Sequence, residues 1–274
     1  MAKKALCVGI NDYPYEGADL FGCVNDAQAW AELLRDHYGF PENRITMVTD
    51  RDATKAEILM ELDNLLADAQ AGDVLVYTFS GHGTYVADVS GDEPGFDEGQ
   101  CAYDGVILDD ELRERLVALP DDVHLTVISD SCHSGSVTRG EDAPHRERPD
   151  QRRERFLNPE LLGNVLLSSS TFAAIKRQMR QAMAAVNELT LRFKMNELLL
   201  AGCMANQSSY DALFGDVHHG AMTFHALQTI KEMNYELTYE ELYDELSYRL
   251  EDAGFPQNPQ LEGGRSNRNR QLFT

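Results

Sequence analysis

Two short segments hold the residue types that covalent catalysis needs. The first is Ser80-Gly81-His82-Gly83 and the second is Asp130-Ser131-Cys132-His133-Ser134-Gly135, with His82 fifty residues ahead of Cys132. A thiolate attacks a carbonyl carbon, an imidazole gives the leaving amine its proton, and backbone N–H groups beside them hold the developing oxyanion. Gly81 and Gly83 let the backbone approach a substrate closely. The plainer alternative is that His82 satisfies a turn and Cys132 is a small buried hydrophobe. Position favours chemistry, because each segment follows a strongly apolar run.

Those runs, Asp73 to Phe79 and His124 to Ser129, suit strands buried on both faces. They sit within an α/β alternation. Residues 4–10 read as a strand, and a helix follows on Val24, Ala27, Ala31, Leu34 and Tyr38, stopped by Gly39 and Pro41. Arg44 to Thr49 is the next strand; the capping box Thr54–Glu57 then opens a helix striped by Ile58, Leu62 and Leu65. In an open parallel sheet, ligands gather past the carboxyl ends of the strands, so the two turns should share one rim. Residues 85–104, rich in glycine and carboxylates, read as a loop, with a short helix starting near Asp110. Later come a strand at Val165–Leu167, a helical stretch over about 172–194, a strand at Leu198–Ala201, and helices over roughly 221–233 and 238–252. His218 and His219 read as loop residues, and the tail, with Pro256, Pro259, Gly263 and Gly264 and then Gln271 to Thr274, as a segment that loops back as an edge strand.

The 274 residues carry 46 acidic and 24 basic side chains, a formal charge of −22 that repels phosphate backbones and anionic lipid heads. Neither nucleic acid nor a membrane is expected as a partner, since no apolar run is long enough to span a bilayer. The first residues enter a strand without an apolar secretory core, so a cytoplasmic location is the expectation. Five cysteines at 7, 23, 101, 132 and 203 form no C-x-x-C pair, which disfavours a zinc knuckle or a disulfide framework. A phosphatase loop would place five residues between cysteine and arginine, whereas six separate Cys132 from Arg139. No G-x-S-x-G serine elbow exists.

The two turns resemble those of the caspase-like cysteine peptidases, and Asp130 two places before Cys132 resembles the type I metacaspases and their bacterial relatives. The similarity extends through Gly22-Cys23-Val24-Asn25-Asp26-Ala27, Asp109-Asp110-Glu111-Leu112, Ala201-Gly202-Cys203 and Gly220-Ala221-Met222, covering most of the chain outside about 137–195. It implies a three-layer αβα sandwich on a mostly parallel sheet. It implies Cys132 as nucleophile, His82 as general acid/base, and the amides of Gly83 and Cys132 as oxyanion donors. It also implies cleavage after Arg or Lys, with Asp26 and Asp130 in the basic-residue pocket beside Cys23 and Ser80. Buried carboxylates pair with a guanidinium and would reject an acidic side chain. Asp26 could equally cap the helix it opens. The chemistry requires no cofactor, but many metacaspases need calcium, for which the matching ligands are Asp97, Asp109 and Asp110. A further ligand expected seven residues after the nucleophile is Arg139 here.

Residues 137–160 carry six arginines broken by prolines in an otherwise acidic chain, the composition of a solvated linker. The expected organisation is one caspase-like domain in two parts, 1–136 and 161–274, joined by this linker. An enzyme that cuts after Arg and carries an exposed Arg-rich linker reads as a zymogen, processed by itself or by an upstream protease. The other class in play is a catalytically silent caspase-like scaffold or calcium-binding adaptor.

Overall fold

The computed structural model describes residues 1–87, 96–132, 152–162, 197–204 and 207–274. Five parallel strands and one antiparallel edge strand form the central sheet. β1 (Lys3–Gly9) pairs with β2 (Ile45–Thr49) on one side and β3 (Val74–Ser80) on the other; β3 then pairs with β7 (His124–Asp130), and β7 with β9 (Leu198–Ala201), all in parallel. β12 (Gln260–Glu262) closes the β9 edge in antiparallel fashion. Strands from before and after the arginine-rich segment therefore share one sheet.

Side chains alternate across the sheet, as the two-residue strand period demands. Ala5, Val74, Val76 and Ile128 face one core with α1 (Cys23–Tyr38), α4 (Ala221–Glu232) and α5 (Tyr239–Asp252). Leu6, Leu75, Tyr77 and Val127 face the other, beneath α2 (Lys55–Leu66) and α3 (Asp109–Leu116). The result is the three-layer sandwich that the resemblance implied. Gly39 ends α1 in the left-handed region at φ 70°, and Thr238 with Glu241 caps α5 reciprocally.

Two expectations need correction. Residues 85–104 hold no simple loop: β4 (Gly83–Ala87) and β5 (Phe96–Ala102) pair antiparallel, and β5 pairs with β6 (Gly105–Leu108). Gly99 is a site of close approach rather than a chain breaker, since a Cβ there would lie 2.7 Å from the Ile107 carbonyl oxygen. His218 and His219 lie on β11 (Val217–Gly220), which forms a hairpin with β10 (Tyr210–Phe214). The tail does loop back as an edge strand, at Gln260–Glu262, while Gln271 makes a single bridge to Thr238. The strand expected at 165–167 and the helix over 172–194 lie outside the described residues.

Candidate active site

The register of the two central strands brings the segments together. Ser80 at the end of β3 is level with Asp130 at the end of β7, so the residues two further on, His82 and Cys132, emerge side by side on one rim. Contact between the turns is close enough to demand glycine: a Cβ on Gly83 would lie 1.8 Å from the Cys132 carbonyl oxygen. His82 is held from several directions. Its backbone N–H donates to the Tyr13 hydroxyl (2.9 Å), its carbonyl accepts from Cys101 N–H (2.8 Å), and the Tyr13 ring lies 4.8 Å from its imidazole. Nε2 lies 2.6 Å from the Ala18 carbonyl oxygen, which can only accept, so Nε2 carries the proton. Nδ1 is buried without a hydrogen-bond partner among the described residues. Burial, with the nearby Arg155 charge acting in the same sense, pulls the imidazole pKa down to about 4.

The Cys132 thiol is fully buried. Its sulfur accepts from Ser209 N–H (2.6 Å) and donates to the Ser209 carbonyl (3.2 Å). Burial, followed by the adjacent Cys203 thiol, pushes its pKa well above the ordinary value. At neutral pH the thiol and the imidazole are therefore both uncharged.

That cleft is filled by the chain itself. The segment expected to be solvated is docked from Arg152 to Leu162, and Arg155 has 0% of its surface exposed. Residues 153–154 form β8 (Arg153–Glu154), antiparallel to β10, and Arg155 N–H donates to the Ser209 carbonyl (2.9 Å). The Arg155 carbonyl oxygen accepts from two amides, Gly83 N–H at 2.9 Å and Cys132 N–H at 3.3 Å. Beyond it the chain is pinned to β4, where Leu157 N–H donates to the Gly83 carbonyl and Phe156 stacks on Tyr85 at 5.7 Å.

The Arg155 guanidinium enters a buried pocket of carboxylates. Nη2 lies 2.7 Å from Asp26 Oδ2 and 3.6 Å from Asp211 Oδ1; Nη1 lies 3.4 Å from Asp130 Oδ2 and donates to Ser80 Oγ (2.7 Å) and the Asp130 carbonyl (2.9 Å). Every carboxylate is braced from behind. Asp26 accepts from Ser80 Oγ and Gly220 N–H and lies 2.9 Å from His219 Nδ1; Asp130 accepts from Ser209 Oγ and from the Thr223 amide and hydroxyl. Burial opposes the Asp26 charge, but Arg155, His219 and Ser80 outweigh it and hold the carboxyl below its ordinary value. Burial wins at Asp211, whose carboxyl is pushed up. Gly220 keeps the pocket open, since a Cβ there would lie 2.5 Å from Arg155 Nη1.

Of the residues singled out from sequence, His82, Gly83, Cys132, Asp26, Asp130 and Ser80 meet at this place, and buried Cys23 lies near enough to feel the Arg155 charge. Asp26 does not cap α1: Gly22, which has no side chain to cap with, occupies that position. The sequence reading missed Ser209, Asp211 and His219. Asp211 was findable in principle as an acidic residue within the run Tyr210–Phe214, but that short run carries little strand signal. The calcium candidates fit less well. Asp109 and Asp110 occupy the first turn of α3, where a helix N-terminus already favours carboxylates, and Asp110 lies 3.7 Å from Arg113. The Asp97 side chain lies outside the described residues, and no group of three or more His, Cys, Asp or Glu among those described could hold an ion.

Comparison with known proteins identifies the family. A model of the metacaspase peptidase C14 domain matches residues 3–140. Metacaspase-8 of Arabidopsis thaliana is 43% identical over 146 residues, 50% of this chain and 38% of that protein. Metacaspase-1 of Scheffersomyces stipitis is 32% identical over 288 residues, 94% of this chain and 70% of its own length. The chain thus spans well under half of the plant relative and about two thirds of the yeast one. A crystal structure of a Geobacter sulfurreducens protein aligns with a TM-score of 0.75 at 26% identity, covering 100% of this chain and 99% of that one. On the family model and the near full-length yeast match together, the chain belongs to the metacaspases, a family of caspase-like cysteine peptidases.

Proposed function

We propose that this chain is a cysteine endopeptidase that cleaves after arginine, or lysine, and that it holds its own Arg155–Phe156 bond in the cleft as both latch and first substrate. One observation carries the reading: the Arg155 carbonyl accepts from the Gly83 and Cys132 amides while its guanidinium lies among Asp26, Asp130 and Asp211. Two convergent amides on one carbonyl are what an oxyanion hole requires. Three carboxylates around one cation select a basic side chain and repel an acidic one.

The chemistry then runs through named atoms. The Cys132 thiol turns from Ser209 toward the carbonyl carbon and loses its proton to His82 Nδ1, the nitrogen that the Ala18 carbonyl leaves free. Sulfur bonds to carbon, and the carbonyl oxygen takes the negative charge between the two amides. On collapse the carbon–nitrogen bond breaks, and the proton on His82 passes to the departing amine. Water then attacks the thioester, gives a proton to His82, and releases the acid together with the thiol. His82, neutral in the latched state, is in the form needed to take the first proton.

The test compares wild type with Cys132→Ala, with and without calcium, by sequencing new amino termini and by following hydrolysis of Arg-P1 fluorogenic peptides. Wild type should yield a fragment beginning at Phe156 and hydrolyse the peptides; the alanine variant should stay whole and lose at least about a thousandfold in rate. A wild-type chain that stays whole and hydrolyses no such peptide would return the silent scaffold.

A further inference from the structure

Upstream of the pocket, the docked segment shows a second seat for a cation. Arg152 lies three residues before Arg155, and its guanidinium carbon stands 4.1 Å from the centroid of the Phe255 ring. Its donors reach past that ring to the end of α5, Nη1 to the Gly254 carbonyl at 2.9 Å and Nη2 to the Ala253 carbonyl at 3.4 Å. Both carbonyls follow the last turn of α5, where backbone acceptors go unpaired and the helix dipole is negative. Gly254, at φ 71°, makes the left-handed turn that sends the chain on to Phe255. The ring itself is fixed from behind by Tyr210, Phe214 and His225, with centroids 6.0 to 6.3 Å away. Arg153 stands 4.4 Å over Phe21, a ring 44% exposed, and donates to one carbonyl, that of Asp19 at 2.8 Å; with a single acceptor and a solvent-facing ring it serves as an internal contrast.

We infer that this seat is a specificity subsite: the cleft reads a guanidinium four residues before the scissile bond as well as the one at the bond, and its substrates are peptides of the pattern Arg-x-x-Arg. The inference rests on reading Arg155 as the occupant of the substrate position. Three features share one direction here, because an aromatic face, a pair of acceptors and a negative helix end all favour a planar cation with forked donors. Lysine, with a compact head, satisfies the acceptors without lying flat on the ring. Glu154 between the two arginines contacts Ser208 and Tyr210 at 3.3 and 3.5 Å and is exposed, so that position discriminates little.

The experiment uses self-processed wild-type protein and fluorogenic peptides of sequence Arg-Arg-Glu-Arg, with citrulline replacing arginine at the first or the second position. Citrulline keeps the planar shape and removes the charge. At the first position it should lower kcat/KM about five- to tenfold, and at the second no more than about twofold. In Phe255→Leu the first-position effect should shrink to within about twofold while the requirement for arginine at the bond persists. Should that variant fail to fold, the citrulline comparison on wild type decides alone. Equal cleavage of all three peptides overturns the subsite and leaves the proposed peptidase standing. Failure to cleave any of them sinks both.

Discussion

The wall of the cleft that carries His82, Asp130 and Cys132 extends two strands buried on both faces, whereas the opposite wall, with Ser209, Asp211, His219 and Gly220, belongs to a short antiparallel hairpin outside the main sheet. In the first wall every strand residue from Val74 to Ser80 is buried, and the register alone sets the two turns level. In the second, residues 217–219 are partly or largely exposed, and the hairpin touches the docked segment through backbone pairing and the side chains of Tyr210 and Asp211. The proposed bond-making groups, together with two pocket carboxylates, Asp26 on α1 and Asp130 on β7, are thus fixed by the core, while the third, Asp211, belongs to an element with less to hold it. A protein built this way can change what it accepts without disturbing how it reacts.

The sharpest way to break that division is at Gly83. Substitution to alanine forces a Cβ into the Cys132 carbonyl and spreads the two amides that share the Arg155 oxygen. Losing alignment of two oxyanion donors should cost at least about a thousandfold in kcat, at about 100-fold or more for each. Steady-state hydrolysis of an Arg-P1 peptide, beside a far-ultraviolet spectrum to check the fold, measures it. A variant that folds and retains a tenth of the wild-type kcat would show that the first wall is not rigid.

A second test reads the same wall through pH. Burial takes His82 from an ordinary 6.5 to about 4, so between those values the unfolded chain binds the additional proton and the folded one does not. The contribution to stability is therefore intact above pH 6.5 and is lost progressively as pH falls toward 4, reaching at most about 3 kcal/mol. His124 and His225 are also pulled down by burial and act in the same direction, while Asp211, pushed up, opposes them at the acid end. Urea unfolding of uncut Cys132→Ala, with and without His82→Gln, at pH 7, 5.5 and 4.5 isolates the His82 share as a difference. Parallel curves for the two proteins would mean that the imidazole is not held neutral in the latched state.

The contrast between the walls also explains how much was legible beforehand. Buried parallel strands announce themselves as apolar runs, so β3 and β7 could be read directly, and with them the turns at their ends. The hairpin could not, because Tyr210 to Phe214 and Val217 to Gly220 are too short and too mixed to separate from a loop. The polar ribbon of β4 and β5 was lost for a related reason: its glycines serve close approach, and composition alone reads them as breaks. Charge misled most at Arg155. An arginine in a run of arginines and prolines looks solvated, and only the three carboxylates converging from α1, β7 and β10 make its burial tolerable. Convergence from three distant places in the chain leaves no local trace.

The second wall is best probed at Asp211, where a nearly isosteric change removes charge and little else. Its Oδ2 accepts from the backbone N–H groups of Phe21 (2.6 Å) and Gly22 (3.2 Å), and an asparagine carbonyl can keep both. Its Oδ1, 3.6 Å from Arg155 Nη2, has no hydrogen-bond partner among the described residues and acts on the guanidinium through charge. Asparagine would present an amide N–H to a guanidinium N–H at that point, donor against donor. Asp26 and Asp130 still hold the cation, so the loss should be modest, about tenfold in KM for Arg-P1 peptides with kcat nearly unchanged. The split between the two constants is the informative part. A fall in kcat with KM unmoved would mean that the hairpin positions the reacting carbonyl and not merely the side chain, and the separation of recognition from bond-making across the cleft would fail.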